Sequence, residues 1–186
     1  MIQGKLFHFT NEKLGALSLV VGRQYHSPHV LRQGRILVIK DAGERDYLHQ
    51  LLKTIRPLFG KANYESVQLT DASFIYKNTH AGQPTAELTN LCTNQDYRNK
   101  KLALQTLCAV ANECANDGFD KIRGTSSKDG ESFYRTIGMR FFAGSNVFSS
   151  PLQPFVPPPD FFKHDPERSE WVTEALQDNG RFFTVN

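Results

Sequence analysis

One unit in the middle of the chain limits the folds open to it. Residues 85–93, TAELTNLCT, alternate as a strand does, with Ala86, Leu88, Asn90 and Cys92 on one side and Glu87, Thr89, Leu91 and Thr93 on the other. A helix follows to about residue 116, its apolar stripe made by Leu104, Leu107, Cys108, Ala111 and Ala115. NDGFD closes that helix, with Gly118 suited to the left-handed position after a helix end. KIRGTSS, residues 121–127, reads as a second strand. Two strands joined through a helix of this length pair in parallel by a right-handed crossover. The chain must therefore build a sheet, and part of that sheet is parallel.

The flanking segments supply antiparallel strands and further helices. ILVIKD (36–41) is a continuous apolar run. Leu48, Leu51, Leu52 and Ile55 fall at helical spacing within 42–56, and Pro57 stops that helix; its other face, with Arg45, His49 and Lys53, is expected in solvent. YESVQLTD (64–71) and ASFIYKN (72–78) read as two strands and HAGQP (80–84) as a turn, so that 72–93 forms a hairpin. DGESFYRTIG (129–138) is a short helix, and MRFF after it starts another strand. KLFHF and LSLVV, within residues 1–35, are strands or short packing segments.

Past about residue 148 the composition shifts. SSPLQPFVPPPD reads as an extended, proline-rich arm, and the triple proline is also open to reading as a ligand for a partner. A last helix then begins with Asp165 as cap and Pro166 as its first residue, and ends before Gly180. Trp171, Ala175 and Leu176 dock it, with Val172 at the margin. The expected architecture is α/β: a mixed, mostly antiparallel twisted sheet flanked by helices. One domain covers 1–148, and 149–186 packs on it as an arm and a helix.

Totals narrow the function classes. The 22 basic and 19 acidic residues leave a formal charge of +3, too little to indicate a nucleic-acid protein by itself. Cys92, Cys108 and Cys114 have neither zinc nor redox spacing and read as reduced thiols of a cytoplasmic protein. LGALSLVVG (14–22) is too short to span a membrane. HSPH (26–29) is a His-x-x-His on a loop without a nearby carboxylate, so no metal is expected.

DYRNKKLALQTL (96–107) carries the chemistry. It sets Arg98, Lys100 and Lys101 at the start of a helix, where each cation is unfavourable by about 0.3–1 kcal/mol. A bound anion reverses that cost, because unpaired backbone N–H groups and the helix dipole both face it. The alternative is a solvated basic helix start with no ligand.

The wider pattern resembles the GNAT superfamily of N-acetyltransferases. That family carries a strand, then [Q/R]-x-x-G-x-[G/A], then a helix; here Arg98, Asn99, Lys100, Lys101, Leu102 and Ala103 follow LCTNQDY. SSKDGESFYRTIGMRF (126–141) is similar to the family's later block ending in fYeklGF. The resemblance covers about 36–142 and leaves 1–35 as an N-terminal extension. Lys101 stands where the family has a glycine, so its side chain must turn away or itself touch phosphate. Ser127 stands where asparagine is common, and Met139 replaces the phenylalanine.

The resemblance implies acetyl-CoA as co-substrate, its pyrophosphate on residues 98–103. It implies direct transfer to an amine acceptor, a small molecule or a protein, without a covalent enzyme intermediate. Leu91, Cys92 and Thr93 would hold the thioester carbonyl and pair with the pantetheine arm, with Ser127 near the cofactor. Glu87 lies eleven residues before Arg98, the offset of the catalytic glutamate in the histone-type branch; it, or a water in its place, would take the amine proton. Its plainer reading is a strand glutamate paired with a lysine across the hairpin. Tyr134 matches the motif tyrosine and would protonate the leaving thiolate; its plainer reading is a core aromatic. Two other functions stand beside this one: a noncatalytic module that keeps the fold, and a nucleic-acid-binding protein using the basic loop.

Overall fold

The computed structural model describes residues 1–27, 30–55, 67–78, 84–179 and 182–183. Pro57, Gly180, His29 and most of the 80–84 turn lie outside the described residues. Eight strands are present among those described: β1 (Ile2–Asn11), β2 (Gly15–Ser27), β3 (Val30–Ile39), β4 (Gln68–Asn78), β5 (Pro84–Thr93), β6 (Lys121–Thr125), β7 (Val147–Pro151) and β8 (Lys163–Asp165). They form one sheet in the order β7-β6-β5-β4-β3-β2-β1-β8. β5 and β6 pair in parallel, and the other neighbours pair antiparallel. The helices are α1 (Arg45–Thr54), α2 (Leu102–Asn116), α3 (Lys128–Thr136) and α4 (Pro166–Gln177). The architecture is thus a mixed, mostly antiparallel sheet flanked by helices.

Strand alternation gives the sheet two apolar faces. Leu19, Val21, Ile36, Val38 and Phe74 pack with Leu107 and Val110 of α2 on one side. Leu6, Val20, Leu37 and Ile39 pack with Leu48 and Leu52 of α1 and Val172 and Leu176 of α4 on the other. Each fully buried side chain of this size contributes about 1.5–3 kcal/mol. Gly4 lets α4 lie against β1, since a Cβ there would overlap the Val172 side chain.

Several elements differ from the sequence reading, mostly where a polar residue finds a partner. KLFHF and LSLVV are the facing parts of the long β1–β2 ladder. The two strands expected at 64–71 and 72–78 are, in their described part, the single strand β4. Asp71 lies at the point where the two were divided, and an unpaired carboxylate is unfavourable inside a strand. Arg35 neutralises it with two parallel bonds, Nε to Oδ1 at 2.9 Å and NH2 to Oδ2 at 2.8 Å.

The α2 stripe is likewise turned from the apolar count. It buries Thr106, whose hydroxyl meets that of Thr70 at 2.7 Å, and Glu113, which takes Lys5 and Arg23. The basic face of α1 keeps Arg45 and Lys53 in solvent, as expected, and also pairs with α4 and its end: Arg45 and the half-buried His49 face Glu174, and Lys53 faces Asp178. Val172 is fully buried rather than marginal. MRFF supplies only a bridge at Phe141, and the strand at that edge is β7, which includes Ser149–Pro151 of the expected arm.

At the other edge of the sheet, Ser169 and Thr173 of α4 accept the β1 amides of Leu6 and Gly4 at 2.8 and 2.9 Å. These hydroxyls occupy edge groups that would otherwise be open to another strand. Asp165 caps α4 by accepting the Arg168 amide at 3.0 Å.

Candidate functional site

The parallel β5–β6 ladder is short. Ala86, Glu87 and Leu88 face Ile122, Arg123 and Gly124, and there the pairing stops. Beyond it a slot of about 180 Å³ opens, lined among others by Leu88, Asn90, Leu91, Thr125, Ser127 and Tyr134. β5 also bulges at this point. Phe74 faces Leu88 and Ser73 faces Asn90, which leaves one extra residue on β5. Leu91 consequently packs against the same core as Ala86 and Leu88. Strict alternation had set it on the side of Glu87, and the bulge reverses that.

Tyr134 reaches the slot from α3. Ser127 begins that helix, its hydroxyl accepting the Gly130 amide at 3.1 Å. The Tyr134 ring is 4.6 Å from that of Phe148 and 5.2 Å from that of Phe133. Burial pushes the phenol up to about 12. It therefore stays protonated throughout the neutral range, as a proton donor must. Two buried hydroxyl oxygens near the strand ends, those of Thr93 and Ser126, have no partner among the described residues. Burial also pushes the thiols of Cys108 and Cys114 up, to about 11 and about 12, so neither is a thiolate nucleophile at neutral pH.

The basic turn follows β5 directly. Asn94, buried, ties its start to the sheet: its amide donates to Leu69 O at 2.9 Å, and its Nδ2 to Gln68 O at 3.1 Å. A single 3₁₀ turn, Gln95–Tyr97, comes next, then Asn99 and Lys101, both at φ 61. That is the left-handed region, which asparagine tolerates and lysine disfavours. It supplies a physical reason for glycine at the Lys101 position of the motif. The Lys101 side chain turns to Glu12, Nζ to Oε2 at 2.9 Å, and so leaves the backbone uncovered on its other side.

Two residues of the β1–β2 turn hold this loop, and the sequence reading missed both. Asn11, buried, donates to Lys100 O at 2.7 Å, and Lys13 Nζ donates to Asn99 O at 3.1 Å. In a planar trans peptide the N–H points opposite to the C=O. With those carbonyls directed at the turn, the amides of Lys100 and Lys101 face away from it. Together with those of Leu102 and Ala103 they have no hydrogen-bond partner among the described residues. The Arg98 guanidinium pairs with no carboxylate among the described residues. Lys100 lies over the Tyr97 ring at 5.2 Å. The signal for Asn11 was present as a hairpin turn, T-N-E-K-L-G, whose asparagine caps its own turn. Nothing local linked that turn to a loop ninety residues away.

Glu87 stands apart from the slot lining. Its neighbours Ala86 and Leu88 belong to the α2-side core, so its side chain lies on the opposite face. There Lys77 Nζ meets its Oε1 at 3.0 Å across the hairpin. Leu88, Leu91, Ser127 and Tyr134 are thus brought together, residues 98–101 form the turn into α2 and Leu102 and Ala103 begin the helix, and Glu87 lies behind the sheet from Tyr134. No group of three or more His, Cys, Asp or Glu is placed for a metal ion among the described residues. No helix among them is long and apolar enough to cross a membrane.

No family model matches the chain, and no curated protein matches it in sequence. Solved structures similar to it include a Lactobacillus plantarum protein assigned as an N-acetyltransferase, 14% identical, covering 64% of this chain and 69% of that one, with a TM-score of 0.45. AtaTR bound with acetyl-CoA is 9% identical over 66% and 69%, with a TM-score of 0.44. The PaiA N-acetyltransferase of Thermoplasma acidophilum in complex with coenzyme A is 19% identical over 47% and 56%, with a TM-score of 0.38.

Proposed function

We propose that this chain is an N-acetyltransferase that moves an acetyl group from acetyl-CoA to an amine. The observation that carries the reading is a pairing of two features within one strand–loop–helix unit. The amides at 100–103 are unpartnered among the described residues, those of Lys100 and Lys101 turn outward, Arg98 and Lys100 stand beside them, and the strand that leads into this turn, β5, also borders a slot made where β5 and β6 part. The first suits a diphosphate, through N–H groups, the helix dipole and the cations together. The second suits a narrow, extended arm that ends in a thioester, laid beside β5 as an added strand would be.

In this reading the amine nitrogen attacks the thioester carbonyl carbon, and the C–S bond breaks. The negative charge that builds on the carbonyl oxygen needs N–H or O–H donors near the ends of β5 and β6. The departing thiolate takes the Tyr134 proton, which burial holds in place at neutral pH. The amine loses its proton to water or to Glu87, and for Glu87 the Lys77 ion pair must open first. Tyr134 lines the slot, whereas Glu87 is outside its lining and paired with Lys77.

Titration calorimetry with coenzyme A, followed by transfer of labelled acetyl to an amine panel, tests the proposal. Binding at micromolar to millimolar ligand with label appearing on an amine is the expected result. Absence of binding at millimolar coenzyme A refutes it, and binding without transfer leaves only a coenzyme A-binding module.

A further inference from the structure

The face of the sheet turned away from α2 carries an uncompensated positive charge beside the slot. Ile122 belongs to the α2-side core, and a Cβ on Gly124 would strike Phe148 of that core. Lys121, Arg123 and Thr125, which alternate with them and are exposed, therefore share the opposite face. Glu87 faces Arg123 in the parallel register, and Ile75 faces Glu87 on the other side. One row thus crosses β4, β5 and β6 on this face.

The charges on that face do not cancel: Lys77, Lys121 and Arg123 stand against Glu87. Glu87 is held by Lys77, 3.0 Å away. Arg123 and Lys121 have no carboxylate in contact among the described residues. Arg123 sits instead with its guanidinium 5.9 Å from the centroid of the exposed Phe142 ring. Two residues along the same face, about 6.6 Å of strand, Thr125 lines the slot itself.

The geometry points to an acceptor that carries a carboxylate as well as its amine, with the carboxylate on Arg123 and the amine at the slot. This rests on the acetyl-transfer reading and names the substrate class for it. A guanidinium beside an apolar ring is a good carboxylate partner, because it presents two parallel N–H bonds and is weakly hydrated. Lys121 adds to the attraction at longer range. An acceptor with a second cation would meet Arg123, Lys121 and Lys77 together and be repelled.

The test uses the full chain, acetyl-CoA, and two matched series of probes: unbranched ω-amino acids of two to six carbons and n-alkylamines of the same lengths. Coenzyme A affinity is measured in parallel by calorimetry. The amino acids are expected to exceed the matched alkylamines at least tenfold in kcat/KM at the best length. Arg123→Gln, an exposed substitution, should cut that ratio to within threefold of unity, mainly through KM of the amino acid, with coenzyme A affinity unchanged. Alkylamines accepted equally at every length overturn the inference, as does an unchanged ratio in Arg123→Gln or a protein that binds acetyl-CoA and acetylates neither series. A protein that does not bind acetyl-CoA overturns the acetyl-transfer reading itself, and the inference with it.

Discussion

Replacing Lys101 with glycine is expected to stabilise the protein. Lys101 holds φ 61 and ψ 7, a conformation that brings a Cβ too close to the following carbonyl at a cost of about 1–2 kcal/mol. Glycine removes that cost, but its freer unfolded chain returns roughly 0.5–1 kcal/mol. The balance favours glycine by about 0.5–1 kcal/mol, a rise in Tm of roughly 1–4 °C for a domain of this size. Lys101→Ala separates the backbone from the charge. Both variants lose the contact with Glu12, and only alanine keeps the Cβ. Scanning calorimetry should therefore place the glycine variant above the alanine variant. Equal melting temperatures, or alanine the higher, would refute the left-handed assignment and with it the explanation of the motif glycine.

Four other outcomes follow from contacts elsewhere in the structure. Asn11→Ala removes donors to Lys100 O and Gln105 and an acceptor for the Lys13 and Leu14 amides; it should cost about 2–3 kcal/mol, and a chemical melt within about 0.5 kcal/mol of the parent would contradict the bracing of the loop. Tyr134→Phe should lower kcat about a hundredfold while leaving acetyl-CoA affinity within twofold, read by stopped-time assays and calorimetry; unchanged turnover removes Tyr134 from the mechanism. With that phenol pushed up to about 12, the protonated donor persists as pH rises, so kcat should not decline between pH 7 and 10, and a descending limb with its midpoint near 10 would assign the donor elsewhere. Asp71→Ala leaves Arg35 buried beside no carboxylate and should destabilise by about 3–5 kcal/mol, measured by urea unfolding; a loss under 1 kcal/mol would show the pair to be dispensable.

The strand–turn–helix–strand unit at 85–125 was legible because its signals are local. Period-two alternation, a cationic turn, a 3.6-residue stripe and a closing glycine each occupy a few neighbouring residues. The same holds for Asp165 and Pro166 at the start of α4, whose capping bond spans three residues. Helix and strand identity were therefore set by short-range sterics and patterning, and the basic loop could be picked out from its charges alone.

Tertiary structure decided whatever depended on a distant partner. Asp71 continues a strand only because Arg35, 36 residues away, cancels its charge. Glu113 and Thr106 face inward on α2 only because Arg23 and Thr70 receive them. The bulge in β5 changes the side on which Leu91 lies, and that follows from register with β4 rather than from the residues of β5. The loop amides point outward because Asn11 and Lys13, from the far end of the sequence, bind the carbonyls behind them. Local sequence fixes what a segment prefers by itself; burial of a polar group, register and peptide orientation are settled by whichever partner the fold brings to it.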